Sequence, residues 1–165
     1  MSRGNGRNGV APGRLQWMLT RFVFRPWWRL SRGLTLGARA IVAQGDEILL
    51  VRHSYVPGWH LPGGGVERGE TAEQALTREL LEEGNIVLES APRLYGIYSN
   101  HERFRGDHVL LYIADAWHRN GRHKPGLEIE AAEFFSRHDL PSGTTPGTRR
   151  RLAEVYEGLP REAHW

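Results

Sequence analysis

Arg78, Glu79, Glu82 and Glu83 stand in the segment TAEQALTRELLEEGN, whose apolar or small residues Ala72, Ala75, Leu76, Leu80 and Leu81 recur at helical spacing. On a helix, Glu79 to Glu82 is i to i+3 and Glu79 to Glu83 is i to i+4, so three carboxylates project from one face within a turn. Charges of one sign held that close repel. The arrangement is costly unless a cation sits among them, and oxygen ligands in a chain without Cys select Mg²⁺ or Mn²⁺. Such sites recruit the metal together with substrate phosphates, which supply further oxygens. A charge run standing alone reads as a solvated helix face. The preceding segment shifts that reading: three Gly at 63–65 follow Pro62 and let backbone approach closely, and Glu70, eight residues before Arg78, can fold back to brace the helix by an ion pair.

Residues 64–86, GGVERGETAEQALTRELLEEGNI, resemble the Nudix box of the Nudix hydrolases, G-x5-E-x7-R-E-U-x-E-E-x-G-U with U aliphatic. Gly64, Glu70, Arg78-Glu79-Leu80, Glu82-Glu83 and Ile86 fill the fixed positions, and only Asn85 departs, standing where the family has Gly. Asn is the next-best residue for a left-handed helix cap, and Gly84 offers the same conformation one residue earlier. The strand-like EILLVR before the box, the WHLPGGG run and a Glu upstream of Phe134-Phe135 extend the resemblance over roughly residues 35–157. It implies an α+β fold, a Nudix-like α/β/α sandwich around a central mixed β-sheet, and hydrolysis of a nucleoside diphosphate linked to another moiety. It further implies that Glu79, Glu82 and Glu83 bind the metal with Gly64 beside it, and that Glu70 and Arg78 form the bracing pair.

The chemistry agrees with that implication. A diphosphate repels an attacking water's oxygen, so cations that bridge its oxygens and a carboxylate that accepts the water's proton are both needed. Glu83 or Glu82 can take the proton. Glu128, in KPGLEIEAAEFF, resembles the position from which some family members bring in a further Glu; Glu130 and Glu133 compete with it. Arg52 and His53, ending a strand, can contact phosphate or stand as a surface pair. Trp59 and Tyr55 can stack on a base, although an aromatic beside a Gly-rich loop is more often a packing wedge. His101, Glu102, Arg103 and Arg105 fall in a loop that either borders substrate or is solvated. Trp117, at a strand end, reads as packing.

The elements that position these groups follow from pattern. TLGARAIVA, the Gly45-Asp46 turn and EILLVR read as an antiparallel pair. Residues 57–69 read as mostly loop. Thr71 caps a helix that ends near Gly84-Asn85. Strands are expected at 93–99, at 108–117 and around Phe134-Phe135, and a last helix, capped by Thr145, runs from Pro146 to about Glu157. Strands and helices do not alternate regularly, which favours a mixed sheet over a doubly wound parallel one.

The chain of 165 residues, 39% hydrophobic, suits one domain, expected over 34–160. No run is long and apolar enough for a spanning helix, and the absence of Cys excludes disulfides and thiolate chemistry. The net charge of +3 is uneven: residues 1–45 hold eight Arg and no acid, so the rest is acidic on balance. That is not the uniformly basic surface of a nucleic-acid binder, and no sequence-specific nucleic acid binding is expected. Residues 1–13 are Gly-rich and read as a disordered tail. Residues 14–33 interleave Trp17, Phe22, Phe24, Trp27 and Trp28 with five Arg, interrupted by Pro26. Three readings fit this extension: packing on the domain or a second subunit as a homodimer, peripheral contact with an anionic membrane, and a transit peptide. A cytoplasmic enzyme, membrane-associated if the second reading holds, is expected. Substrate subgroups of the family are told apart by a Pro or a Tyr downstream of the box; His101, Glu102 and Arg103 stand there, so neither signature names the substrate. A nucleotide-sensing module that does not hydrolyse is the alternative, although such modules commonly lose box carboxylates.

Overall fold

The structure is a computed structural model that describes residues 33–121 and 126–165. The expectations for residues 1–13 and, but for Gly33, for 14–33 lie outside the described residues. Strands β1 (Thr35–Gln44) and β2 (Glu47–His53) begin as the expected hairpin, but only Ala43 with Ile48 and Gln44 with Glu47 pair. Beyond that the two strands part. Two short strands that the sequence reading took for loop, β3 (Trp59–His60) and β4 (Gly63–Gly65), fill the split: β3 pairs with the end of β2 and β4 with the start of β1. A Gly/Pro-rich composition hides them, because their pairing comes from tertiary context rather than from side-chain preference.

Helix α1 (Ala72–Gly84) follows, and Thr71 and Gln74 form a reciprocal capping box at its start. Asn85 takes the left-handed cap with φ 54°, and its N–H reaches the Leu80 and Leu81 carbonyls. Gly84 is the last helical residue, and it is small for a reason of packing: a Cβ there would lie 2.9 Å from Leu49 Cδ2. Then come β5 (Ile86–Leu88), β6 (Arg93–Ser99), β7 (Asp107–Ala114), β8 (Trp117–Arg119), β9 (Ile129–Ser136) and α2 (Pro146–Tyr156). The strand expected over 108–117 stops at Ala114, and Trp117 instead opens β8, which among the described residues pairs with β5 alone. The strand around Phe134-Phe135 is longer than its aromatic pair suggests, because it lies along the whole of β2.

The large sheet is mixed: β1 runs parallel to β7 from Thr35 to Val42, and the other pairings are antiparallel. Strand alternation sends Ala38, Ala40, Val42, Leu49 and Val51 to one face, where they bury Leu76 and Leu80 of α1. Ile41, Ile48 and Leu50 point to the other face, against Leu152 of α2. Each buried Leu contributes about 1.5–3 kcal/mol of apolar burial, which fixes α1 on the sheet and so aims its charged face. The chain after α2 also packs: Trp165 N–H donates to the Ser99 carbonyl, and fully buried Arg151 joins Glu154 to the His164 carbonyl. No helix among the described residues is long and apolar enough to cross a membrane.

Candidate active site

Where β1 and β2 separate, a cavity of about 1270 Å³ opens, and α1 delivers its acidic face to it. Arg78 organises that face. Its Nε and Nη2 donate to the two carboxylate oxygens of Glu70 at 3.0 and 3.1 Å, a fork that holds the loop after β4 against the helix. Nη1 reaches Glu79 at 2.8 Å and Glu82 at 3.5 Å, and Nη2 also donates to the Gly65 carbonyl. Glu70 in turn accepts from the Glu67 N–H. The pairing with Arg78 holds the Glu70 carboxyl below its ordinary range, and Glu70 first and Glu79 next raise the guanidinium's proton affinity.

Glu83 is the deepest of the three box carboxylates, 5% exposed. It accepts the Gly63 N–H at 2.7 Å and lies 3.5 Å from His53 Nε2, though not in hydrogen-bonding geometry. Burial pushes its pKa up to about 7; the Gly63 N–H and Arg39 oppose that rise, and Glu79 and Glu82 add to it. Glu79 is half-buried beside Gly64, where a Cβ would meet its Oε1 at 2.4 Å. Glu82 is 61% exposed. No three acidic or imidazole groups among the described residues stand as a preformed cation cage. Arg78 engages Glu79 and Glu82 in this arrangement.

The remaining expected residues divide. Glu128, at the mouth of β9, lines the cavity with Gly64, Arg78 and all three box carboxylates; His53, Tyr55, Arg103 and Arg105 line it too. Arg52 and Trp59 do not. Arg52 is paired with Glu130 at 3.0 Å and covers the Trp59 ring, while Trp59 is buried edge-on against Phe135 in the core beneath α2. His101, Glu102 and Glu133 are absent from the cavity wall, and Trp117 stacks on Phe134. Burial pulls His53 and His60 down, His60 to about 4, so both imidazoles are neutral at pH 7.

Sequence reading missed Arg39, His60 and Phe104, which also line the cavity. Arg39 had a visible signal: it is the only charge inside the apolar run of β1, between buried Ala38 and Ala40. His60 carried none, because the split of the sheet brings it in, and Phe104 lies in the loop that reads as bordering substrate or solvated.

Comparison with known proteins places the chain in a family. Residues 33–157 match the NUDIX domain family model, so the chain belongs to the Nudix family, as a pyrophosphohydrolase of the Nudix type. An ADP-ribose pyrophosphatase of Methanocaldococcus jannaschii is 34% identical over 119 residues, 69% of this chain and 69% of that protein. The NAD-capped RNA hydrolase NudC of Pectobacterium atrosepticum is 33% identical over 126 residues; they make up 74% of this chain but only 47% of that longer protein. The crystal structure of a MutT NUDIX hydrolase from Burkholderia pseudomallei aligns with a TM-score of 0.64 and 30% identity, covering 73% of this chain and 97% of that one. The expected α+β sandwich with a mixed sheet is therefore the fold of this chain.

Proposed function

We propose that the chain is a divalent-metal-dependent hydrolase that cleaves the pyrophosphate bond of a nucleoside diphosphate linked to another moiety. The carrying observation is the Glu70–Arg78 fork, whose guanidinium also holds Glu79, while the Gly63 N–H holds Glu83, so that with exposed Glu82 the carboxylates of one helix turn line a single cavity beside the Gly63–Gly65 backbone. The donor set suits a hard cation: Gly64 leaves room that any side chain would take from Glu79, and crowding by Glu79 and Glu82 helps raise Glu83. Glu79, Glu82, Glu83 and the Gly64 carbonyl would hold Mg²⁺ or Mn²⁺. When bound, the metal neutralises diphosphate oxygens and favours ionisation of water.

The chain's own groups do the rest. Gly63 N–H orients Glu83 by its hydrogen bond, and Arg78 keeps the acidic turn in register. Glu128 takes the proton of the attacking water as general base, with Glu83 the competing acceptor. Exposed Tyr55 offers a ring face to the bound nucleoside. A sensing module without turnover is less well supported, since every box carboxylate is present. The test is a panel of nucleoside triphosphates, nucleotide sugars, ADP-ribose and dinucleotides with Mg²⁺ or Mn²⁺, with products identified against Glu83→Gln. Metal-dependent release of a nucleoside monophosphate by the wild type alone supports the reading. Turnover equal in the Glu83→Gln protein, or binding without turnover, overturns it.

A further inference from the structure

Arg39 is a partly buried cation whose charge has no counter-ion among the described residues. Its one hydrogen bond runs from Nη1 to the Leu61 carbonyl, and a guanidinium has five N–H groups to satisfy. Burial lowers its proton affinity, and the fields of Glu83 and Glu79 oppose that without any ion pair being made. A second guanidinium faces the same cavity: Arg103, from the turn between β6 and β7, has no ion pair or side-chain hydrogen bond among the described residues and lies 5.9 Å from the Phe104 ring. The charge of Arg103 is felt at both Arg39 and His60, so these groups share one space. Two guanidiniums that face one cavity, neither held in an ion pair among the described residues, offer N–H donors to an anion, and the carboxylates whose charge reaches Arg39 are Glu83 and Glu79 of the acidic turn. The carboxylates that would take the metal come from α1, whereas Arg39 and Arg103 come from β1 and the β6–β7 turn. The cavity therefore offers a diphosphate two separate kinds of contact.

We propose that Arg39 and Arg103 jointly bind the phosphoryl group of the substrate that is not held at the acidic turn of α1, and so fix the direction in which the diphosphate lies. This rests on the reading of the cavity as a nucleoside diphosphate site, and it assigns the recognition of the second phosphate. The competing role for Arg39 is structural, holding the Leu61 carbonyl and with it the Gly63–Gly65 strand.

The two roles separate in a binding measurement on the full chain. Calorimetric titration with non-hydrolysable α,β-methylene-ADP and Mg²⁺, for wild type, Arg39→Lys, Arg39→Gln, Arg103→Gln and the double Gln variant, reads the phosphate contact without turnover. Loss of a charge-assisted contact predicts weakening of about 10–100-fold for Arg39→Gln and about 3–10-fold for Arg103→Gln. Arg39→Lys recovers part of the loss because the charge remains. The double variant loses less than the product of the single losses, because both groups act on one phosphate. Exposed Arg103 can be replaced without lowering the unfolding midpoint. Unchanged affinity in Arg103→Gln and Arg39→Gln, equal weakening of phosphate-free adenosine, or no binding to the wild type overturns the proposal. A chain that binds the probe through these arginines yet hydrolyses nothing would overturn the hydrolase reading and leave this one standing.

Discussion

A Cβ on Gly64 would lie 2.4 Å from Glu79 Oε1, so the second glycine of the run and the first carboxylate of the acidic turn occupy one another's space. The obstacle is the far end of a flexible side chain. Gly64→Ala should therefore cost little stability, about 1 kcal/mol or less, while displacing Glu79 and cutting kcat by about 10²-fold. Gly63 differs, with φ 126° and the Ala38 carbonyl 2.1 Å from a built Cβ. Gly63→Ala should fail to fold or unfold at much lower temperature. Thermal melts beside initial rates check both; wild-type activity in Gly64→Ala would remove Glu79 from the site.

Glu70 and Arg78 bond to each other, and in the proposed reaction their role is positioning. Glu70→Gln keeps the shape and loses the charged fork, and metal affinity should fall by about 10–100-fold with a smaller change in kcat at saturating metal. Rates titrated against Mn²⁺ check this. Unchanged metal dependence would make the fork merely structural.

Glu83 yields a pH prediction whose sign follows from its raised pKa. In the metal-free folded chain it holds its proton up to about pH 7, whereas in the unfolded chain it loses it near 4.5. The folded state binds more protons between those values, so Glu83 costs nothing below pH 4.5 and increasingly destabilises as pH rises to 7. Glu83→Gln should then be more stable than wild type by about 1–3 kcal/mol at pH 8 in chelator, with the difference vanishing near pH 4.5. His60, pulled down to about 4 by burial and by Arg39, acts in the opposite sense but is common to both proteins. Denaturant melts across pH 4–8 test this. The same variant should lose about 10²–10⁴-fold in kcat.

Glu128→Gln should cost less than Glu83→Gln and change the acid limb of the kcat/KM profile, because that limb reports ionisation of the base in the free enzyme. An unchanged rate and profile would move the role to a box residue. Glu130 is already committed to Arg52, and Glu133 lies away from the cavity.

The parts of this molecule that were legible in its sequence are those in which local chemistry and tertiary role coincide. Thr71, Gln74 and Asn85 mark the ends of α1 by capping alone, and the spacing of Arg78, Glu79, Glu82 and Glu83 puts them on one face whatever the helix packs against. What escaped depends on long-range pairing. Nothing local in WHLPGGG shows that it would split β1 from β2, because Gly carries no strand preference; the split decides that Trp59 turns into the core and Arg52 toward Glu130. Arg39 was readable in principle as a charge inside an apolar strand. Phe104 itself was not singled out, although its loop reads as bordering substrate or solvated, and the turn between β6 and β7 lines the cavity.

Hydrolysis in oxygen-18 water tests the central claim most directly, using whichever diphosphate conjugate the panel shows to be turned over with Mg²⁺ or Mn²⁺. Attack on phosphorus at a P–O–P bridge predicts one labelled oxygen in a phosphate of a single product, read by mass spectrometry, with Glu83→Gln forming that labelled product about 10²–10⁴-fold more slowly. Label carried on a sugar carbon or a base would contradict the account, because it would place the broken bond outside the pyrophosphate.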